Sequence, residues 1–344
     1  MATQNLANKY RPQVFEDIVE QDHVKEIVKK LCDDPEMKSR NMLFVGPAGC
    51  SKTTFCRAIA KYLNHSTNGI IEIDAASHSG VDSIREIIQQ ANSYPVGVKW
   101  KIFIIDEVHA LSQAAWQALL TTLESGPART IFLMATTNPE KIPATILSRV
   151  QVFQISKISL NGIIGRLKYI LDSEIAEGRQ ITYTDDAISY IAKMANGGLR
   201  DAITTLDKSL AFSNNLTIQS VTTALGIPKY DDFFDLLSAY AKKDNKSIAL
   251  IVHNVYNSGI NFVKWFENFH SFVIQIIKYV YLQDINATTI PSFYSDKISK
   301  YTVKHANICL KLANVLVKMN ADLRTTQYLQ ELALTYLCSV NKEG

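Results

Sequence analysis

The stretch from Gly46 to Thr54 reads GPAGCSKTT, and its residue types and spacing suit the binding of a phosphate chain. In the general pattern G-x-x-x-x-G-K-[ST], backbone N–H groups surround the phosphates and the lysine reaches the β- and γ-phosphates. The hydroxyl that follows ligates magnesium, so we expect a nucleoside triphosphate and Mg²⁺ as ligands. The residues expected to contact them are Gly46, Pro47, Ala48, Gly49, Cys50, Ser51, Lys52, Thr53 and Thr54.

One position of this loop departs from the general pattern, because Ser51 stands where the pattern has glycine. A backbone with positive φ at this position would be unfavourable for serine and would weaken phosphate binding. We expect instead a helix-compatible dihedral at Ser51, which serine tolerates. The loop is therefore predicted to bind and cleave its nucleotide.

A second group of candidate residues ends the apolar run KIFIIDE, where Asp106 and Glu107 follow a predicted strand. Ligands of open parallel sheets bind at the carboxyl ends of the strands. Asp106 suits magnesium, which prefers hard oxygen ligands, and Glu107 is placed to orient or deprotonate an attacking water. An acidic pair can also simply favour a helix N-terminus through the dipole, but the presence of Lys52 favours catalysis.

These residues require a scaffold, and the first half of the chain supplies a pattern of short apolar runs that alternate with amphipathic stretches. The pattern predicts a parallel sheet of strands buried on both faces, with crossover helices between them. The predicted helices are KTTFCRAIAKYL, VDSIREIIQQAN and SQAAWQALLTTLE. The predicted strands are NMLFVG, GIIEIDA, KIFIIDE, RTIFLMATT and VQVFQI.

The second half of the chain is predicted to be helical, since strand signals stop at about Ser156. Gly226 and Pro228 in GIPKYDD mark a junction by their breaker chemistry. The longer helices beyond it have apolar positions outside one stripe, which favours a role in oligomerisation over a simple core. We therefore predict an α/β nucleotide-binding domain at 1–156, a helical domain at 157–227 and a helical oligomerisation domain at 228–344.

Composition limits the class of protein. The chain of 344 residues is 47% apolar and 20% charged, as in a folded globular protein, and its net charge of +3 is too small to indicate a nucleic-acid partner. Its five cysteines form no C-x-x-C pair, which is typical of a cytoplasmic protein with reduced thiols. The run SFVIQIIKYVYL is interrupted by Gln275 and Lys278 and is too short for a membrane span, so we expect no membrane contact.

Taken together, the segments resemble AAA+ ATPases and, within them, clamp-loader ATPase subunits, above all the gamma/tau group of the bacterial DNA polymerase III clamp loader. The resemblance covers about the first 225 residues, and the last third resembles a clamp-loader collar only in length and helical character. Because the chain ends at Gly344 without a long tail, a compact viral form, a short bacterial form and a trimmed chain are all compatible with it. The segments that carry the resemblance are KYRPQVFEDIVEQ (9–21), IEIDAAS (71–77), IIDEVHALS (104–112), ATTNPEKIPATILSRV (135–150) and GGLRDAITTLD (197–207).

The resemblance implies an ATPase motor subunit. ATP binding would open and hold a sliding clamp, and primer-template DNA would trigger the hydrolysis that releases it. The implied partners are the clamp, the DNA and other clamp-loader subunits, in a hetero- or partly homo-oligomeric pentamer. No zinc is expected, because LNHSTNG links directly where the bacterial subunits carry a four-cysteine module. The alternatives are a nucleotide-binding scaffold with little turnover, against which Glu107 argues, and a Holliday-junction or replication-restart motor, which lacks the EIDAAS segment.

The resemblance also implies roles for individual residues. Thr137 would be the sensor-1 residue, with Thr136 as a close competitor. Arg149 would be an arginine finger that reaches the γ-phosphate of a neighbouring subunit, and Arg200 would be the sensor-2 residue of the helical lid, acting in its own subunit. The adenine pocket would be formed by Tyr10, Arg11, Pro12, Ile18 and Val19.

DNA contact is predicted for the segment between Ser77 and Ala91, which resembles the clamp-loader helix that follows duplex phosphates. The candidates are Ser79, Ser83 and Arg85. The alternative is an exposed helix face with an ordinary i,i+3 or i,i+4 charge pattern. Gln117 matches a glutamine that relays DNA binding to the ATP site, on condition that it faces the junction of these helices.

Overall fold

The structure, a computed structural model, describes residues 5–34, 41–127, 129–226, 230–290 and 294–339. The chain divides into two compact units. The first contains residues 1–177 and 195–207, and the second contains residues 178–194 and 208–344. The domain boundaries after residues 156 and 227 stay predictions, and the junction at Pro228 lies outside the described residues.

The first unit is built on a parallel sheet, and all five predicted strands are present in it. The strand order is β2-β3-β4-β1-β5, and each neighbouring pair is parallel. The α/β fold predicted from the alternation of apolar runs and amphipathic stretches is therefore confirmed. The strands are β1 (Met42–Val45), β2 (Ile70–Asp74), β3 (Lys101–Asp106), β4 (Thr130–Thr136) and β5 (Gln151–Gln154).

Burial differs between the central and the outer strands. The central strands β1, β3 and β4 are buried almost throughout, whereas β2 and β5 expose part of their residues. The expectation of strands buried on both faces is wrong for β2 and β5, because each forms an edge of the sheet and has a neighbour on one side only. Glu72 and Val152 are exposed as a result.

Helices cover both faces of the sheet. Alternate residues of β3 point in opposite directions: Ile102 and Ile104 pack with α2 and α3, and Phe103 and Ile105 pack with α4 and α5. The predicted helices after the phosphate loop and on either side of β3 are confirmed. The helices of this unit are α1 (Leu6–Lys9), α2 (Asp22–Asp33), α3 (Lys52–Asn64), α4 (Val81–Asn92), α5 (Gln113–Ser125), α6 (Ala144–Leu147) and α7 (Leu160–Ala176), together with residues 199–207 at the start of α9 (Leu199–Phe212).

The second unit is mainly helical but contains a short sheet that the sequence pattern did not reveal. Its strands, β6 (Thr182–Tyr183) and β7 (Asn215–Leu216), pair in parallel, and two residues are too few to produce an alternating pattern. The prediction that strands stop at about Ser156 is therefore wrong for these four residues. The helices that follow α7 in the chain are α8 (Asp185–Met194), α9 (Leu199–Phe212), α10 (Ile218–Ala224), α11 (Tyr230–Ala241), α12 (Asn245–Asn257), α13 (Phe262–Leu282), α14 (Ser295–Ile298), α15 (Val303–Leu323) and α16 (Leu329–Ser339).

Aromatic side chains form the centre of the second unit. Phe233 packs edge-on against Trp265, and their ring centroids are 4.9 Å apart. Phe269 and Phe272 belong to the same buried cluster, together with residues of α15. Within the described parts of the chain, no helix is both long enough and apolar enough to cross a membrane.

Candidate nucleotide-binding site

The phosphate loop connects the end of β1 to the start of α3 at the carboxyl edge of the sheet. The backbone N–H of Gly46 donates to the carbonyl of Thr136, at 3.2 Å. A Cβ at Gly46 would lie 2.3 Å from the carbonyl oxygen of Ile155, so the close approach of these backbones requires glycine. Gly49 has φ +73°, which glycine adopts without strain.

Ser51 has a left-handed backbone, with φ +74° and ψ 14°. The expectation of a helix-compatible dihedral at this position is wrong. The chain turns here to begin α3 at Lys52, and the turn needs the conformation that glycine supplies in the general pattern. A left-handed conformation costs a residue with a Cβ about 1–2 kcal/mol, so Ser51 stores strain at the edge of the phosphate loop.

Lys52 is buried inside the loop, with 6% of its surface exposed. Its Nζ donates to the carbonyl of Pro47 at 2.8 Å. Burial lowers the pKa of Lys52, although the nearby carboxylates of Glu107 and Asp106 act in the opposite direction. An ammonium group with so little water around it gains strongly from an anionic ligand, which fits a phosphate.

Thr53 and Asp106 supply the oxygen atoms that magnesium prefers. The Thr53 hydroxyl donates to Oδ2 of Asp106 at 2.7 Å, and Oδ1 of Asp106 accepts the backbone N–H of Glu107 at 3.0 Å. A hydroxyl and a carboxylate held side by side next to a phosphate loop fit a magnesium ion that also contacts the nucleotide. These are the two residues that would hold it.

Glu107 follows β3 in a left-handed conformation, with φ 46°. Its Oε2 accepts two hydrogen bonds from Thr137, one from the backbone N–H at 3.3 Å and one from the hydroxyl at 3.0 Å. The hydroxyl of Thr136 is buried and instead lies 3.1 Å from Nδ1 of His109. Of the two sensor-1 candidates, Thr137 is thus the one that contacts Glu107. His109 was not among the residues singled out from the sequence.

Only three of the five residues predicted to form the adenine pocket line the cavity. Tyr10, Arg11 and Pro12 line the same cavity as the phosphate loop. Ile18 lies in the hydrophobic core instead, and neither it nor Val19 lines this cavity. Burial lowers the pKa of the Arg11 guanidinium. Cavity residues that the sequence did not indicate are Ala7, Asn8, Leu199 and Ile203.

A charged cluster holds the segment that carries Tyr10. The Tyr10 hydroxyl donates to Oε1 of Glu174 on α7, at 2.8 Å. The Lys9 ammonium donates to the same oxygen at 2.6 Å and also pairs with Glu177. Arg166 donates to the Tyr10 carbonyl at 2.8 Å. The position of the adenine side of the cavity thus depends on α7.

Arg200 lines the same cavity and lies in the first turn of α9. Its backbone N–H donates to the carbonyl of Gly49 at 3.4 Å, and the buried thiol of Cys50 donates to the carbonyl of Gly197 at 3.4 Å. The start of α9 therefore contacts the phosphate loop directly. Ile203 reaches the same cavity because it stands three residues after Arg200 on one helix face.

Arg149 is outside this cavity. Its NH1 donates to the carbonyl of Thr145 at 2.7 Å and to the hydroxyl of Ser148 at 2.9 Å, and its NH2 pairs with Glu124. The side chain is partly exposed. The structure therefore does not bring Arg149 together with the phosphate loop of its own chain, and its role as a finger stays a prediction.

The candidate DNA contacts lie at the start of α4. Ser79 and Arg85 are exposed, and Ser83 is half-buried. Arg85 pairs with Asp82 at 3.1 Å, which is the ordinary i,i+3 pattern of an exposed helix face. Gln117 is exposed on α5, and its relay role stays a prediction.

The parallel sheet, the phosphate loop and the acidic pair after β3 define a nucleotide-binding protein of the AAA+ class. The fold is similar to a solved structure of the Thermotoga maritima RuvB Holliday junction branch migration motor. The TM-score is 0.52 and the identity 19%, over 67% of this chain and 78% of that one. At this identity the likeness concerns the fold alone.

Sequence comparison gives the family. A family model described as DNA polymerase III, delta subunit, matches residues 16–159, and one described as DNA polymerase III clamp loader subunit, ATPase lid domain, matches residues 162–215. The DNA polymerase III subunit gamma of Buchnera aphidicola subsp. Acyrthosiphon pisum is 33% identical over 94% of this chain and 91% of its own length. The chain belongs to the gamma/tau family of DNA polymerase III subunits.

Some other members of this family are much longer than this chain. The DNA polymerase III subunit tau of Bacillus subtilis is 40% identical over 237 residues, which are 63% of this chain and 41% of that protein. The chain thus spans less than half the length of that relative.

Proposed function

We propose that this chain is an ATP-hydrolysing motor subunit of a sliding-clamp loader. ATP binding opens and holds the clamp, and hydrolysis triggered by DNA releases it at primer-template junctions. The observation that carries the proposal is the convergence of Lys52, the Thr53–Asp106 pair, Glu107 and Arg200 around one cavity. The partners in the proposal are supported by the family model described as DNA polymerase III clamp loader subunit, ATPase lid domain, and by a relative named DNA polymerase III subunit gamma.

Each residue of the site has a separate role in the proposed hydrolysis of ATP. Lys52 binds the β- and γ-phosphates, and Thr53 and Asp106 hold magnesium. When bound, magnesium neutralises charge on the phosphate oxygens. Glu107 accepts the proton of the attacking water through its carboxylate, and Thr137 fixes the orientation of that carboxylate by two hydrogen bonds.

In the proposal, Arg149 acts on the γ-phosphate of a neighbouring subunit. This is supported by its position outside the cavity of its own chain, where Lys52 and Arg200 already supply positive charge. A guanidinium that is partly exposed and held by backbone and side-chain oxygens is presented at a defined place on the surface. Hydrolysis then depends on assembly.

Assembly is supported by an apolar stripe on α15. Val303, Leu310 and Val317 are 65%, 40% and 54% exposed, and they recur every seventh residue on one helix face. Such a stripe suits packing against a helix of another subunit, as the proposed pentamer requires. Lysine at both Leu310 and Val317 should lower the mass of the assembly in solution, whereas lysine at the exposed Leu250 of α12 should leave the mass unchanged.

ATP turnover tests the proposal. We expect the chain, assembled with a sliding clamp and primer-template DNA, to hydrolyse ATP, and Glu107→Gln to bind ATP while hydrolysis nearly ceases. The amide keeps the shape of the side chain but cannot act as a base. Lys52→Ala should instead lose ATP affinity. Substantial turnover by Glu107→Gln, or unchanged affinity of Lys52→Ala, would count against this site.

One observation favours a second function, a nucleotide-binding scaffold with little turnover. The strained backbone of Ser51 lies where the phosphates must approach, and strain there can slow the reaction. The two functions differ in the effect of Ser51→Gly on ATP turnover. A rise of about a hundredfold, equivalent to roughly 2.7 kcal/mol of barrier, would favour the scaffold.

A further inference from the structure

We infer that His109 is a positioning residue for Glu107, holding one oxygen of the carboxylate so that the other is left for the attacking water. The inference rests on the proposed ATP hydrolysis and assigns to it a residue outside the phosphate loop, the acidic pair and the sensors. His109 lies in the short 3-10 turn Val108–Ala110, which begins directly after Glu107.

The imidazole of His109 bridges the ends of two strands. Its Nδ1 lies 3.2 Å from Oε2 of Glu107, which follows β3, and 3.1 Å from the hydroxyl oxygen of Thr136, the last residue of β4. The side chain of His109 is 18% exposed, and that of Thr136 is fully buried. This nitrogen therefore connects the proposed general base to the strand that also carries the sensor residue.

The neighbours of Nδ1 favour one tautomer of the imidazole. A carboxylate can only accept hydrogen bonds, so the 3.2 Å contact between Nδ1 and Oε2 is favourable when Nδ1 carries the hydrogen. The Thr136 hydroxyl already accepts the backbone N–H of Asn138 at 3.1 Å and can accept a second hydrogen through its other lone pair. These contacts favour a hydrogen on Nδ1 that is donated to the Thr136 hydroxyl oxygen at 3.1 Å, with Oε2 of Glu107 as a close electrostatic partner.

The two carboxylate oxygens of Glu107 therefore have different roles. Oε2 accepts hydrogen bonds from the backbone and hydroxyl of Thr137 and also lies 3.2 Å from Nδ1 of His109. All three contacts are made by Oε2, so Oε1 is the oxygen left to accept a proton from water. Thr137 approaches from β4 and His109 from the turn after β3, so removing His109 leaves the carboxylate held from one side only.

Three substitutions at His109 test this assignment in the full chain, assembled with clamp and primer-template DNA. The amide nitrogen of asparagine occupies about the place of Nδ1, whereas that of glutamine occupies about the place of Nε2. We expect His109→Ala and His109→Gln to lower kcat for ATP by about tenfold to a hundredfold, because a misplaced catalytic group costs that much. The dissociation constant of ATP should stay within about twofold, and His109→Asn should recover most of the kcat.

His23 offers a matched control, since it is exposed on α2, and His23→Ala should change neither quantity. An unchanged kcat in His109→Ala would overturn the inference, as would equal loss in the asparagine and glutamine variants or a loss of ATP affinity that matches the loss of kcat. If Glu107→Gln hydrolyses ATP as fast as the parent chain, the proposed function fails first. That outcome is distinct, because it does not depend on any variant of His109.

Discussion

The hydroxyl of Thr53 and the carboxylate of Asp106 are joined by a hydrogen bond of 2.7 Å, although the two residues are 53 positions apart in the chain. The contact links the first turn of α3 to the end of β3. The second carboxylate oxygen of Asp106 is held by the backbone N–H of Glu107. The two oxygen ligands proposed for magnesium are thus close together, with the carboxylate already oriented.

Replacement of Thr53 by valine tests this pair. Valine keeps the branched shape but removes the hydroxyl, so we expect the Mg²⁺ concentration that gives half-maximal ATP hydrolysis to rise by at least about tenfold. Loss of an outer-shell partner alone typically costs that much in metal affinity. A titration of ATP hydrolysis with Mg²⁺ provides the measurement. An unchanged magnesium requirement would show that Thr53 is not a ligand.

The strain at Ser51 leads to a prediction about stability. Ser51→Gly should raise the free energy of unfolding by about 0.5–1 kcal/mol, because relief of the left-handed backbone exceeds the entropy that glycine adds to the unfolded chain. ATPase activity should stay within a few-fold of the parent. Denaturant unfolding measures the free energy of unfolding.

The matched control is Ser271→Gly in the exposed middle of α13, which should instead lose about 0.5 kcal/mol of that free energy. A lower free energy of unfolding in both variants would contradict the conclusion that the backbone of Ser51 is strained.

Glu174 is predicted to control nucleotide affinity from outside the cavity. Glu174→Ala removes the acceptor shared by Lys9 and Tyr10, so the adenine side of the cavity keeps only the Arg166 hydrogen bond as its contact with α7 described above. We expect ATP and ADP to bind about tenfold more weakly, a loss of roughly 1.4 kcal/mol. Calorimetric titration with each nucleotide measures this loss.

Glu177 gives the matched control for Glu174. It also pairs with Lys9, but its side chain is largely exposed, and exposed ion pairs contribute little. Glu177→Ala should therefore leave both affinities nearly unchanged. Equal losses in the two variants would mean that the overall charge of α7, and not the contact with Tyr10, determines affinity.

Much of the fold and of the phosphate side of the site follows from the sequence. The strand that precedes Gly46 and the strand that ends at Asp106 each form a short apolar run, and parallel strands place their carboxyl ends at one edge. Lys52, Thr53 and Glu107 therefore had to lie close together. Their proximity could be predicted because the residue types and spacing are local, whereas their chemistry stays a prediction.

The features of the site that the sequence did not predict depend on contacts between residues far apart in the chain. The dihedral of Ser51 is set by the turn into α3, which the residue type alone does not determine. Ile18 was expected in the adenine pocket, but an isoleucine in a short segment can equally fill the core, and here it does so. Glu174 and His109 carry no signal in their local sequence. Their roles come from packing against Tyr10 and Glu107.

Hydrolysis of ATP in a mixture of two inactive variants tests most directly whether this chain works as an assembled motor. Arg149→Ala lacks the finger but keeps Glu107, and Glu107→Gln lacks the base but keeps Arg149. Each variant, assembled alone with clamp and primer-template DNA, should bind ATP and hydrolyse it slowly. In the mixture we predict that activity returns at interfaces where an intact Arg149 faces an intact Glu107. If Arg149→Ala alone hydrolyses ATP like the parent, or if the mixture is no faster than the two variants measured separately, hydrolysis between subunits is contradicted.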